Sequence, residues 1–103
     1  MVTYEQALAY LGIDEVDEVV ETNVKRALKT AEKTLEGAVG KDLQTYLPDD
    51  PRAEELTLIY TDDLYSERGV AAKVSNATRK LVFSMEWQLK LELRQAKEEA
   101  GVL

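Results

Sequence analysis

Apolar residues recur every three or four positions over most of this chain, the period of a helical stripe, and one stretch near the C-terminus breaks the pattern. Thr3-Tyr4-Glu5-Gln6 fits a capping box, in which the Thr3 hydroxyl accepts from the Gln6 amide while the Gln6 side chain reaches back. Leu8 and Leu11 then share a face and Gly12 supplies a stop, which predicts a short helix over about Tyr4 to Leu11. Asp14 or Asp17 can cap the next helix, where Val16, Val20, Val24, Ala27, Ala31, Leu35 and Ala38 form the longest and clearest stripe, ending near Gly37 to Gly40. Its opposite face carries Glu21, Lys25, Lys29, Lys33 and Glu36, with Glu21 and Lys25 in the favourable i to i+4 order.

Lys41 to Asp50 holds Leu43, Tyr46 and Leu47 without a sustained period and ends in Pro48-Asp49-Asp50-Pro51, so it reads as a connecting loop. Asp50 as N-cap, Pro51 in the first helical position and Glu54 and Glu55 in the first turn open a third helix. Its apolar face is Ala53, Leu56, Ile59, Tyr60 and Leu64, running to about Tyr65. Ser66 to Val74, with Gly69, reads as a second loop. Ser75 or Asn76 can cap a last helix in which Ala77, Leu81, Met85 and Leu89 fall at spacings of four. The expected fold is all-α, a small bundle of about four helices around one long central helix, forming a single domain over residues 1–103.

The break in the pattern is Gln88-Leu89-Lys90-Leu91-Glu92-Leu93-Arg94, which alternates polar and apolar with a strand's period of two, although its residue types favour helix. As a helix, Leu89 and Leu93 continue the core stripe and Leu91 is left on the other side. As a strand, all three leucines share a face, and the segment becomes an extended arm that must pair with another chain.

Composition narrows what such a bundle can do. At 103 residues, 45% hydrophobic and 32% charged, it is one foldable domain's worth of chain. Folding at this size buries about two thirds of the unfolded surface, seldom enough to enclose a deep active site. There is no Cys and no His, which removes disulfides, thiol nucleophiles, zinc sites with those ligands and the commonest general base near neutral pH. No apolar run approaches the ~18 residues of a membrane span. The opening Met-Val-Thr-Tyr-Glu lacks the basic start of a secretory signal, so the expectation is an intracellular protein with no membrane partner.

Charge adds a second pattern. The net value of -7 argues against gripping a nucleic-acid backbone, which needs clustered basic surface. Residues 1–23 carry -6, residues 24–48 carry +2, residues 49–65 carry -5 and residues 66–103 carry +2. Such alternation describes either several solvated helix faces or a subunit whose acidic and basic faces meet in neighbouring copies.

Candidate chemistry is sparse. The adjacent pairs Asp49 and Asp50, Glu54 and Glu55, and Asp62 and Asp63 could serve acid-base or magnesium chemistry, as in a metal-dependent hydrolase. Neighbours on a helix point about 100° apart, however, and no Gly-rich phosphate loop accompanies them, so capping and solubility account for them. Asp14 to Glu18 lacks the alternating oxygen ligands and central Gly of a calcium loop. Ser66, Ser75 and Ser84 have no His to activate them. No catalytic, cofactor-binding or metal-ligating residue is assigned, no cofactor is implied, and the chain is not expected to be an enzyme. Trp87, Phe83 and Tyr65 are core aromatics by default, or anchors of an interface, where Trp and Tyr are enriched.

Three segments carry a resemblance. They are Tyr4-Glu5-Gln6-Ala7-Leu8-Ala9-Tyr10-Leu11-Gly12-Ile13-Asp14 with the long helix after it, then Asp63-Leu64-Tyr65-Ser66-Glu67-Arg68, then Val74-Ser75-Asn76-Ala77-Thr78-Arg79-Lys80-Leu81 leading into Gln88 to Glu92. In this order they resemble the head-tail connector family of tailed bacteriophages, also described as adaptor, head-completion or DNA-packaging proteins. The resemblance implies a structural virion protein, made in the bacterial host cytoplasm and placed at the head-tail junction. It implies a homo-oligomeric ring of about a dozen subunits beneath the portal protein, extending the DNA channel toward a tail-proximal protein. DNA would pass without specific binding, and part of the acidic excess would face the channel. By matched segments, Asp63, Tyr65, Arg68, Val74, Trp87, Leu89, Leu91 and Leu93 are the candidate interaction residues. The alternative is a small acidic helical binding module, regulator or antitoxin-like, that covers a basic partner.

Overall fold

The capping box at Thr3 forms as the sequence requires: Gln6 N donates to Thr3 Oγ1 at 3.1 Å and Thr3 N donates to Gln6 Oε1 at 2.9 Å, opening α1 (Tyr4–Leu11). Gly12 ends that helix at φ 72°, in the left-handed region that costs glycine nothing. The computed structural model describes residues 1–66 and 76–101. Asp17 caps α2 (Glu18–Val39), its Oδ1 accepting from Val20 N at 2.8 Å, and Glu21 pairs with Lys25 at 2.7 Å. A single turn, α3 (Leu43–Tyr46), precedes α4 (Pro51–Ser66), where Asp50 Oδ1 accepts from Arg52 N at 2.9 Å. The last helix is α5 (Asn76–Glu99).

Among the described residues the fold is therefore all-α with five helices and no strand. The helix count corrects the sequence reading, which placed α3 inside a loop. One turn is too short to show a period, yet Leu43 is 1% exposed and Leu47 N donates to Leu43 O at 2.8 Å, so burial of one side chain holds the turn. The alternating segment from Gln88 to Arg94 is helical, with Leu89 and Leu93 buried one turn apart. Of the expected loop from Ser66 to Val74, Ser66 is instead the last residue of α4, while residues 67–74 and the Ser75 cap lie outside the described residues, as do the candidate contacts Arg68 and Val74.

Packing centres on α2 against α4, and two clusters share the length of α2. Toward its start, Val24 and Leu28 bury with Val2 and Ala7 beneath half-buried Leu8, Leu58 and Tyr65. Toward its end, Leu35 and Val39 bury with Leu43, Ala53, Leu56, Leu89 and Leu93. Small side chains line both helices, Ala27 and Ala31 on α2 and Ala53, Thr57 and Thr61 on α4, and small contacts set short interaxial distances. The two buried threonines are satisfied inside their own helix: Thr57 donates to Ala53 O at 2.8 Å and Thr61 to Thr57 O at 2.6 Å.

Three expected core positions are corrected. Val16 precedes α2 and is exposed, because the helix starts at the Asp17 cap. Leu64 lies in the last turn of α4, where it lines an open groove instead of a covered interface. Leu81 is exposed because the buried side of α5 runs through Val82, Met85, Leu89 and Leu93, rotated away from it.

Candidate interaction surface

The side of α5 turned from the core is where the chemistry collects. A helix advances about 100° per residue, so Arg79, Phe83, Trp87, Lys90, Leu91 and Arg94 fall within an arc of about 120°, in which Leu91 lies opposite the buried Leu89 and Leu93. Phe83 is 73% exposed, Trp87 56% and Leu91 50%, whereas Leu89 is fully covered. The aromatic pair expected by default in the core is thus on the surface. The physical reason is rotation: Leu89 and Leu93 fix which side of α5 faces α2 and α4, and residues 83, 87 and 91 then point outward.

A clamp fixes that rotation. Arg52 on α4 reaches across to α5, donating through Nη1 to Gln88 Oε1 at 3.2 Å and through Nη2 to Glu92, while Nη2 also meets Asp50 Oδ2 at 3.4 Å. The hydrogen bond to Glu92, then that to Asp50, raises the guanidinium above its ordinary pKa. Tyr60 Oη donates to Glu86 Oε1 one turn away, and burial lifts the Glu86 carboxyl above the ordinary carboxylate range. Lys97 binds Asp42 at 2.6 Å at the far end.

Two shallow depressions run along the exposed face. One, of about 630 Å³, lies over Arg79, Lys80, Phe83 and Trp87. The other, of about 330 Å³, opens between the end of α2 and α5, with Val39, Gly40, Trp87 and Leu91 as its floor and Lys90, Arg94 and Lys97 at its rim. Arg79, Lys80 and Lys90 pair with no carboxylate among the described residues. The face is apolar in the middle and carries more cations than anions at its edges, the half-buried Glu86 lying beside Phe83, Trp87 and Lys90.

The remaining candidates fall elsewhere. Asp63 is half-buried and shares a groove of about 420 Å³ with Arg79 and Phe83 between α4 and α5. Tyr65 packs against the N-terminal cluster and lines a groove of about 410 Å³ with Asn23, Arg26 and Leu64. Leu89 and Leu93 are in the core. Of the eight candidates, Trp87 and Leu91 stand on the exposed α5 face. Phe83 and the three cations around it, Arg79, Lys80 and Lys90, were not among them, although their spacing of three and four along this face is regular.

A second exposed patch lies at the start of α2. Val16 is 42% and Val19 65% exposed, among exposed Asp14, Glu15 and Glu18, none of which is ion-paired among the described residues. Among the described residues no group of three potential ligands is placed to hold a metal ion, and no helix is long and apolar enough to cross a membrane. No protein-family model, no curated protein and no solved structure matches the chain. The functional reading therefore rests on this surface and on the three sequence segments.

Proposed function

We propose that this chain is a structural subunit of a bacteriophage head-tail connector, assembling as a ring beneath the portal and extending the DNA channel toward the tail. The observation that carries the reading is the exposed face of α5, where Phe83, Trp87 and Leu91 stand together in solvent. Aromatic residues with a cationic rim are the composition of interface anchors. Of the segments that carry the family resemblance, Asp63 to Arg68 precedes that helix in sequence and Val74 to Leu81 runs into its start. A net charge of -7 suits a conduit, since phosphate contacts by Lys and Arg would hold the DNA in place. Electron microscopy of the purified chain, alone and with its cognate portal protein, tests the reading: closed rings are expected. A protein that stays monomeric at every concentration and with portal present overturns it.

A second reading is favoured by the acidic, valine-bearing start of α2: a binding module that covers a basic protein surface. It expects a complex of fixed low stoichiometry with that partner and no ring in microscopy.

A further inference from the structure

We infer that the cationic aromatic face of α5 docks on the acidic patch at the start of α2 of a second copy of this chain. The inference deepens the connector reading and rests on it for the expectation that copies meet head to tail. Its ground is complementarity. The α5 face is a row of Phe83, Trp87 and Leu91 edged by Arg79, Lys80 and Lys90, which lack ion-pair partners among the described residues. The patch it fits is Val16 and Val19 edged by Asp14, Glu15 and Glu18, likewise without ion pairs there. Each has an apolar centre and a charged rim of opposite sign, the arrangement that sets register and excludes wrong partners at an interface.

The two surfaces cannot meet within one molecule. Trp87 and Leu91 border the last residue of α2, Val39, whereas Val19 is in its first turn. At 1.5 Å per residue those positions are about 30 Å apart along a rigid helix. Different patches at separated places on one subunit make a heterologous contact, which closes into a ring when the rotation between copies allows.

Charge reversal with a swap tests this. Lys80→Glu with Lys90→Glu reverses the rim of α5, and Asp14→Lys with Glu15→Lys reverses the facing rim; the latter two precede α2 and disturb no helix. Far-UV circular dichroism verifies that all variants are folded. Sedimentation velocity measures assembly, and Trp87, the sole tryptophan, reports burial of the face through its emission. Each double variant is expected to raise the concentration of half-assembly by about tenfold or more, and the fourfold swap to restore it to within about threefold. Parent assembly should blue-shift Trp87. Net charge alone gives a different result, because Asp14→Lys with Glu15→Lys adds four positive charges to the parent's -7 and would then assemble better than the parent, whereas Lys80→Glu with Lys90→Glu makes the chain four charges more negative.

The inference is overturned if the Asp14→Lys, Glu15→Lys variant assembles as well as the parent, if the swap fails to restore assembly, or if Trp87 emission is unmoved by assembly. It is also overturned if an oligothymidylate shifts Trp87 emission in the dispersed protein, which would put single-stranded nucleic acid on the face. Rings that persist in both double variants remove this pairing and leave the connector reading standing. A closed dimer with swap rescue keeps the pairing and removes the connector reading.

Discussion

Glu86 places a carboxylate on the half-buried edge of the α4 and α5 contact, and the donor it meets among the described residues is neutral, the Tyr60 hydroxyl. Burial raises its pKa from the ordinary 4.5, so ionisation is harder in the folded protein than in the unfolded chain. Below the ordinary value both states hold the proton and folding is indifferent to the group. As pH rises through the elevated folded value, the unfolded chain has already lost its proton, and the stability present at low pH is lost. Glu86→Gln keeps an oxygen to accept from Tyr60 and cannot ionise. Thermal melts should coincide for the variant and the parent near pH ~4 and separate in favour of the variant by pH ~7. A variant that melts lower than the parent across that range would show that the charge itself holds the helices together. The same side chain illustrates what composition conceals: Glu86 counts as one of the acidic residues, yet its environment sets it apart from exposed Glu15 or Glu18.

At the scale of elements, one leucine spacing decides between helix and arm. Leu89→Ala removes a fully covered side chain and should cost about 2–5 kcal/mol in denaturant unfolding, whereas Leu91→Ala should stay within about 0.5 kcal/mol of the parent. Equal losses would fit a strand with all three leucines on one face and would contradict the helix. The join between α2 and α5 depends on Gly40, whose φ of 151° is outside the range of ordinary side chains and whose added Cβ would lie 2.6 Å from Leu93 Cδ2. The buried Leu93 side chain would have to shift and the left-handed φ would remain strained, so Gly40→Ala should destabilise by about 1–3 kcal/mol, read as a lower urea midpoint. A neutral outcome would mean that α5 sits less closely on α2 than this. The caps were legible in the sequence because each is local: Thr3, Asp17 and Asp50 accept from nearby free amides, and Gly12 takes a left-handed φ from which its own amide donates to Leu8 and Ala9 carbonyls. The inner face of α4 was legible only in part. Thr57 and Thr61 bury because their hydroxyls are absorbed by carbonyls four residues back, and a count of apolar positions passes over them. The α5 surface was missed for a related reason. Phe83 and Trp87 look like core residues by type, and only the placement of Leu89 and Leu93 on the far side turns them outward.

For the whole molecule, two electrostatic effects of opposite sign govern whether copies associate, and range separates them. Two subunits of charge -7 with centres ~30 Å apart repel by about 7 kcal/mol in unscreened water, about 2.5 kcal/mol at 10 mM salt and about 0.3 kcal/mol at 100 mM. The rim pairs proposed between Lys80 or Lys90 and Asp14 or Glu15 act at contact distance, well inside the ~10 Å Debye length at 100 mM, and lose their strength only toward 1 M salt, where that length is ~3 Å. Moderate salt therefore removes the repulsion before it removes the attraction. Assembly followed by light scattering at fixed protein concentration should rise from 10 mM to about 150 mM sodium chloride and fall again toward 1 M. The fall should shrink in the Lys80→Glu, Lys90→Glu variant, which is four charges more negative and keeps Arg79 alone of the rim cations Arg79, Lys80 and Lys90. A parent that assembles ever more strongly up to 1 M would assign association to burial of Phe83, Trp87 and Leu91 alone, since salt strengthens apolar contacts, and would leave the charged rims no part in holding neighbouring copies together.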